Sequence, residues 1–269
     1  MSFYPLFNLN ENKGFVKLAN FPPNDWEKRV PLGIKNVYAF HTKGQQWQVD
    51  DLGIIPENEF RAFTTPDFLT VNGEVIEGTR IEELVLLEMR MDILPGQLDE
   101  LPSSGLPSTH WPEWRATIGF KAEHSMVSYQ GEINPTPPKA TLLTFHPFIQ
   151  FEDIRNYFVF VNIEKSPVHR WSEIEIYHSG TGNKVDSKKV RNNAANIIPL
   201  DDYGFSPEDL PVFYCKSMAG IPFGFGKSIS THMLSLEHTH PPGSLTLHGN
   251  RMFAQRDIKL GWINHLKIG

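Results

Sequence analysis

Prolines and glycines break this chain into short pieces, and that limits its fold more than any other feature. The 269 residues carry 21 Pro and 20 Gly at no fixed period. Between them lie short apolar runs, not the long periodic stretches a helix needs. Several runs alternate. In Leu87-Glu-Met-Arg-Met-Asp-Ile93 the apolar residues fall at every second position, which gathers them on one face of a strand and would scatter them round a helix. The other face, Glu88, Arg90 and Asp92, is read as solvated. Tyr157-Phe-Val-Phe-Val-Asn-Ile163 is apolar almost throughout and predicts a central strand covered on both sides. Asn72-Gly73 between Phe68–Val71 and Glu74–Glu77 predicts a type I′ hairpin over 68–77.

Further strands are expected at Val37–Phe40, Trp47–Val49, Thr117–Ala122, Met126–Gln130, Thr141–His146 and Glu173–His178. Asn196–Ile198, Val212–Lys216, Met233–Glu237 and Ser244–Leu247 complete the set, with one short helix over Arg256–Lys267. The expected fold class is mainly β: an antiparallel β-sandwich or jelly-roll-like arrangement of many short strands with little helix. Pro95, Pro102, Pro107 and Pro112, with Gly96 and Gly105, mark residues 96–112 as a linker or long loop. On that reading an N-terminal β-rich portion, 1–95, precedes a C-terminal sandwich, 113–269.

Charge and cysteine content narrow the function classes. A net charge of −6 argues against a nucleic-acid partner, which would require clustered cations. The basic group Lys184, Lys188, Lys189 and Arg191 is read as a solvated loop. The lone Cys215 permits no internal disulfide, which favours a reducing compartment. No apolar run is long enough to span a bilayer, and Met1-Ser-Phe-Tyr-Pro-Leu-Phe-Asn8 lacks the basic start of a signal peptide. The expectation is a cytoplasmic protein with no membrane partner.

The chemistry-bearing stretch is Leu234-Ser-Leu-Glu-His-Thr-His-Pro-Pro-Gly-Ser-Leu-Thr-Leu-His248. If it is extended, His238 and His240 project from one face, spaced so that both imidazoles can reach one divalent ion. Pro241-Pro242 ends the strand, and His248 returns on the next as a third metal ligand. The cofactor expected is zinc or iron. Glu237 turns to the opposite face and, with His124, is a candidate acid–base residue. His146 and His232 are further donor candidates. His238-Thr-His240 resembles the opening of the cupin metal motif; the chain departs from that motif at Pro241-Pro242-Gly243-Ser244-Leu245, where the family places a glutamate.

Two other motifs carry less. Gly220-Ile-Pro-Phe-Gly-Phe-Gly-Lys-Ser228 fails the spacing of a phosphate-binding loop and is read as a glycine-rich bend or loop. Cys215 sits in an apolar run, where a thiol is inert. Trp111, Trp114 and Trp171 lie near predicted loops, where flat rings can stack on a sugar. Two functions follow: a metal-dependent enzyme acting on a small polar, carbohydrate-like substrate, or a non-catalytic sandwich module that binds a small molecule or glycan.

Overall fold

The computed structural model describes residues 3–21, 31–68, 73–106, 116–139, 142–146, 152–206, 210–238 and 251–268. Within them the chain is mainly β, with nineteen short antiparallel strands in four sheets and one helix. It folds as two units: residues 1–72, 82–135 and 163–169 form the first, and 73–81, 136–162 and 170–269 the second.

The strands run β1 (Tyr4–Leu6), β2 (Lys13–Ala19), β3 (Lys35–Lys43), β4 (Gln46–Ile55), β5 (Phe60–Thr64), β6 (Glu74–Ile76), β7 (Thr79–Glu83), β8 (Val85–Arg90), β9 (Gln97–Leu98), β10 (Thr117–Lys121) and β11 (Met126–Gln130). They continue with β12 (Leu142–Phe145), β13 (Ile154–Asn162), β14 (Trp171–His178), β15 (Lys184–Arg191), β16 (Ala194–Pro199), β17 (Pro211–Cys215), β18 (Ile221–Ser228) and β19 (Leu234–His238), ending in helix α1 (Arg251–His265).

In the first unit the sheets are β1-β8-β3-β4-β9 and β11-β10-β2-β5. Alternate residues of both sheets meet in one core: Leu6, Val37, Ala39, Leu87 and Met89 from the first, Val16, Leu18, Phe63 and Ile118 from the second. Period-two patterning makes each sheet apolar on one side, and the sandwich buries the two apolar sides together.

The second unit repeats the principle with β12-β17-β14-β15 and β19-β18-β13-β16-β7-β6. Phe158 on β13 and Phe213 on β17 stack at 3.7 Å between the sheets, within 3° of parallel. As the Tyr157–Ile163 pattern predicts, β13 is interior, paired with β16 on one side and β18 on the other. The end of the chain lies against the outer side of the first of these sheets, where Leu266 packs with Trp262 and Ile263 against Leu143, Tyr177 and Tyr214.

Three local readings change. The charged face of β8 is not solvated: Glu88 and Arg90 are 3% and 4% exposed at their side chains and paired at 2.8 Å, with Arg90 also donating to Asp92 and to the carbonyl of Ser103. Alternation gives the two faces of a strand but not which of them the rest of the chain covers. Lys184–Arg191 is strand β15, not a loop, and its cations are matched locally: Lys184 with Glu175 and Lys188 with Asp186 at 2.9 Å, Arg191 with Glu74 at 3.0 Å. Gly220–Ser228 is also no loop, since residues 221–228 form the buried strand β18. Residues 69–72, including the turn expected at Asn72-Gly73, lie outside the described residues. Glu74–Ile76 pairs downstream with Thr79–Ile81, across Glu77-Gly78. Both of those residues have positive φ, 49° and 79°, the requirement of a type I′ turn.

Residues 96–106 are anchored, with Gln97-Leu98 paired to β4 and the buried Leu101 donating its N–H to Lys165 O at 2.9 Å. The buried pair on β8 generates a test. Arg90→Ala strips the only cation bonded to the buried Glu88 carboxylate among the described residues, so urea unfolding is expected to register a loss of about 3–5 kcal/mol. A loss below about 1 kcal/mol would mean that Glu88 is hydrated.

Candidate functional site

Three adjacent strands of the second unit build a small cleft. Two rows cross them: Asn156, Gly226 and Ser235 lie opposite one another, as do Phe158, Gly224 and Glu237. Directly opposed residues of antiparallel strands share a face, so Gly224, Gly226, Ser235 and Glu237 lie on the face that carries Phe158 into the core. The alternation Phe223-Gly-Phe-Gly226 puts its phenylalanines on one side and no side chains on the other. The result is a cleft of about 50 Å³ lined by His146, Asn156, Gly224, Gly226, Ser235 and Glu237, with Phe225 and Leu236 at its edge.

The glycines are required by close approach. A Cβ on Gly224 would stand 2.8 Å from His146 Cε1, and one on Gly226 would stand 2.5 Å from Ser235 Oγ. The place of a side chain at 224 is filled by the imidazole of His146, delivered from just beyond β12.

His146 is 3% exposed. Its ring meets Phe158 and Phe213 edge-on, with centroids at 5.5 and 5.9 Å. Its backbone N–H donates to Pro211 O at 3.1 Å, while its ring nitrogens have no hydrogen-bond partner among the described residues. Burial drives its pKa down to about 3, because an imidazolium there would lose its hydration. At neutral pH the ring is therefore uncharged, with one nitrogen donating and the other accepting.

The sequence-predicted residues separate. Glu237 is exposed at the mouth of this cleft. His238 ends β19, its backbone in register with Phe223. His240 and His248, like the predicted strand Ser244–Leu247, lie outside the described residues. His124 belongs to the first unit, where it is 70% exposed in the turn between β10 and β11, 3.4 Å from the Glu123 carboxylate. Among the described residues no three His, Cys, Asp or Glu side chains converge as a metal site requires. Cys215 is buried, with Ser172 Oγ at 3.3 Å. No described helix is long and apolar enough to cross a membrane.

Sequence reading missed the cleft because its floor is a buried histidine brought from a distant strand. A legible signal existed in the Gly224-Phe-Gly226 alternation, which empties one face of a strand. Comparison with known proteins gives no match: no family model, curated protein or solved structure is significantly similar to this chain.

The buried imidazole predicts a pH dependence. The unfolded chain takes up a proton at this residue near pH 6.5 and the folded one only near 3. Between those values the unfolded state holds more protons, so stability falls with falling pH by about 1.4 kcal/mol per unit. Below about 3 the contribution is constant. His146→Phe is expected to remove that slope from urea midpoints measured downward from pH 6.5. An unchanged slope would mean that the imidazole is not held neutral.

Proposed function

We propose that the protein is a binding module whose second sandwich seats a hydroxyl group of a small neutral polar ligand, of carbohydrate type, in the His146–Glu237 cleft. One observation carries the reading: a buried, uncharged imidazole without a hydrogen-bond partner among the described residues faces a cleft lined by further polar side chains. A ligand hydroxyl that donates and accepts would pair both functions of the neutral ring. The volume sets the scale. About 50 Å³ takes a few water-sized groups, since one water needs only about 10–15 Å³ of such space; a hydroxymethyl substituent fits and the rest of the ligand stays outside. The electrostatics set the class. Glu237 stands at the mouth and His146 stays neutral, so anionic ligands are disfavoured and polyols are suited.

A second reading rests on the sequence that follows β19. His238-Thr-His240 continues directly from Glu237, and with His248 it would supply imidazoles to zinc or iron, making the protein a metal-dependent enzyme that polarises a bound substrate or activates water.

Two measurements separate the readings. Thermal shifts against a panel of monosaccharides and polyols are expected to stabilise the wild type, with the effect lost in Glu237→Gln and in Ser235→Ala. No shift with any sugar, or equal shifts in wild type and variants, defeats the binding reading. Elemental analysis showing stoichiometric zinc or iron, removed by His238→Ala and His240→Ala, would put the metal enzyme in its place.

A further inference from the structure

The outer face of the sheet β11-β10-β2-β5, in the first unit, has a composition at odds with the acidic chain. Strand β2 turns Val16 and Leu18 into the core and Lys13, Phe15 and Lys17 outward. Register places Lys121 and Gly119 of β10 opposite Lys13 and Phe15, and Met126 of β11 opposite Lys121. On the other side, Phe60 of β5 lies opposite Ala19, with Ala62 and Thr64 beside it. Thr117, Ser128 and Gln130 complete a face whose strands carry no acidic residue outward; the Asp67 carboxylate reaches its edge, accepting from Thr64 Oγ1 at 2.9 Å. Glu11, Glu59, Glu123 and Glu132 stand beyond the strand ends.

Two features of this face run against its own stability. Lys13 and Lys121 are directly opposed, a like-charge pair that destabilises a sheet. Phe60 and Met126 are 53% and 64% exposed. Phe15 lies across the sheet over Gly119, where a Cβ would stand 2.5 Å from Phe15 Cζ. Lys17 Nζ sits 3.8 Å from the centre of the Phe60 ring, which holds the cation beside the projecting aromatic.

We propose that this face docks on an anionic lipid surface, with Lys13, Lys17 and Lys121 at the headgroups and Phe60 and Met126 reaching the apolar layer beneath. The charge sign selects an anionic partner. The open sheet face, with cations and apolar tips side by side, suits a broad surface that is charged outside and apolar below. A nucleic acid would demand more cations against its dense phosphate charge, and it offers no apolar layer to Phe60 and Met126. Contact of this kind is peripheral and needs no spanning segment.

Co-sedimentation of the full chain with vesicles tests the proposal. Binding to phosphatidylcholine vesicles containing phosphatidylglycerol is expected, with little binding to phosphatidylcholine alone and loss at high salt. Each Lys→Gln change is expected to weaken partition about fivefold, and the triple change roughly a hundredfold, at about 1 kcal/mol per lysine near the surface. Phe60→Ser with Met126→Ser is expected to weaken it at unchanged salt dependence. Circular dichroism and the thermal midpoint verify folding, and Lys121→Glu, which replaces the Lys13 repulsion with attraction, is expected to raise the midpoint while lowering vesicle binding. The proposal is overturned if the anionic vesicles leave the protein in the supernatant, or if the triple variant binds as the wild type does. It is equally overturned if the three lysines retain single-stranded DNA or heparin while vesicles do not bind.

Discussion

The second unit depends on the contact between Phe158 and Phe213. Stacked at 3.7 Å from opposite sheets, these rings set where β13 and β17 face each other, and the edge of the pair is closed by His146. An apolar side chain in that position would complete an ordinary core. An imidazole instead leaves a polar edge at the rim of the sandwich, next to two strands that carry glycine and serine where bulk would normally stand. The cleft is thus a consequence of how the core ends, with no separate element built to make it.

How much of this was legible depends on whether the information was local. Tyr157–Ile163 announces a doubly covered strand because neither face offers water a polar residue, and the structure agrees. Met126–Gln130 emerges with its predicted limits. The misread segments share a cause: each looks polar or broken locally and is rescued by something remote. Arg90, beside Glu88 in a strand whose charged face was expected to be wet, is covered by the distant loop whose Ser103 carbonyl accepts from it at 2.8 Å. Lys184 to Arg191 forms a strand because Glu175 and Glu74 meet its cations from other elements. Gly220 to Ser228 extends because a neighbouring backbone or ring occupies the missing side-chain space of its glycines: Val161 O would lie 2.2 Å from a Cβ on Gly220, and His146 fills the space at Gly224.

The site was half legible. Strand alternation assigned Glu237 a face of β19, in register with Gly224, yet it could not say what lines the cleft beside it. That is His146, ninety-one positions earlier in sequence numbering, 237 − 146 = 91, and only the pairing of β18 with both β13 and β19 brings the two to one cleft.

The two surfaces singled out differ in chemistry but arise from the same kind of departure. A strand favours β-branched and aromatic residues, buried donors and acceptors are ordinarily paired, and like charges avoid direct opposition. Gly224 and Gly226 break the first rule and Lys13 and Lys121 the third. On β15 and β8 the rules are obeyed: Lys184 and Lys188 meet carboxylates, and the buried Arg90 has three acceptors. Departures that gather on one face are candidate places where a function is accommodated at the expense of stability. The lysine pair makes the point most simply, because exchanging one member would remove a repulsion without disturbing the core, and the chain retains it.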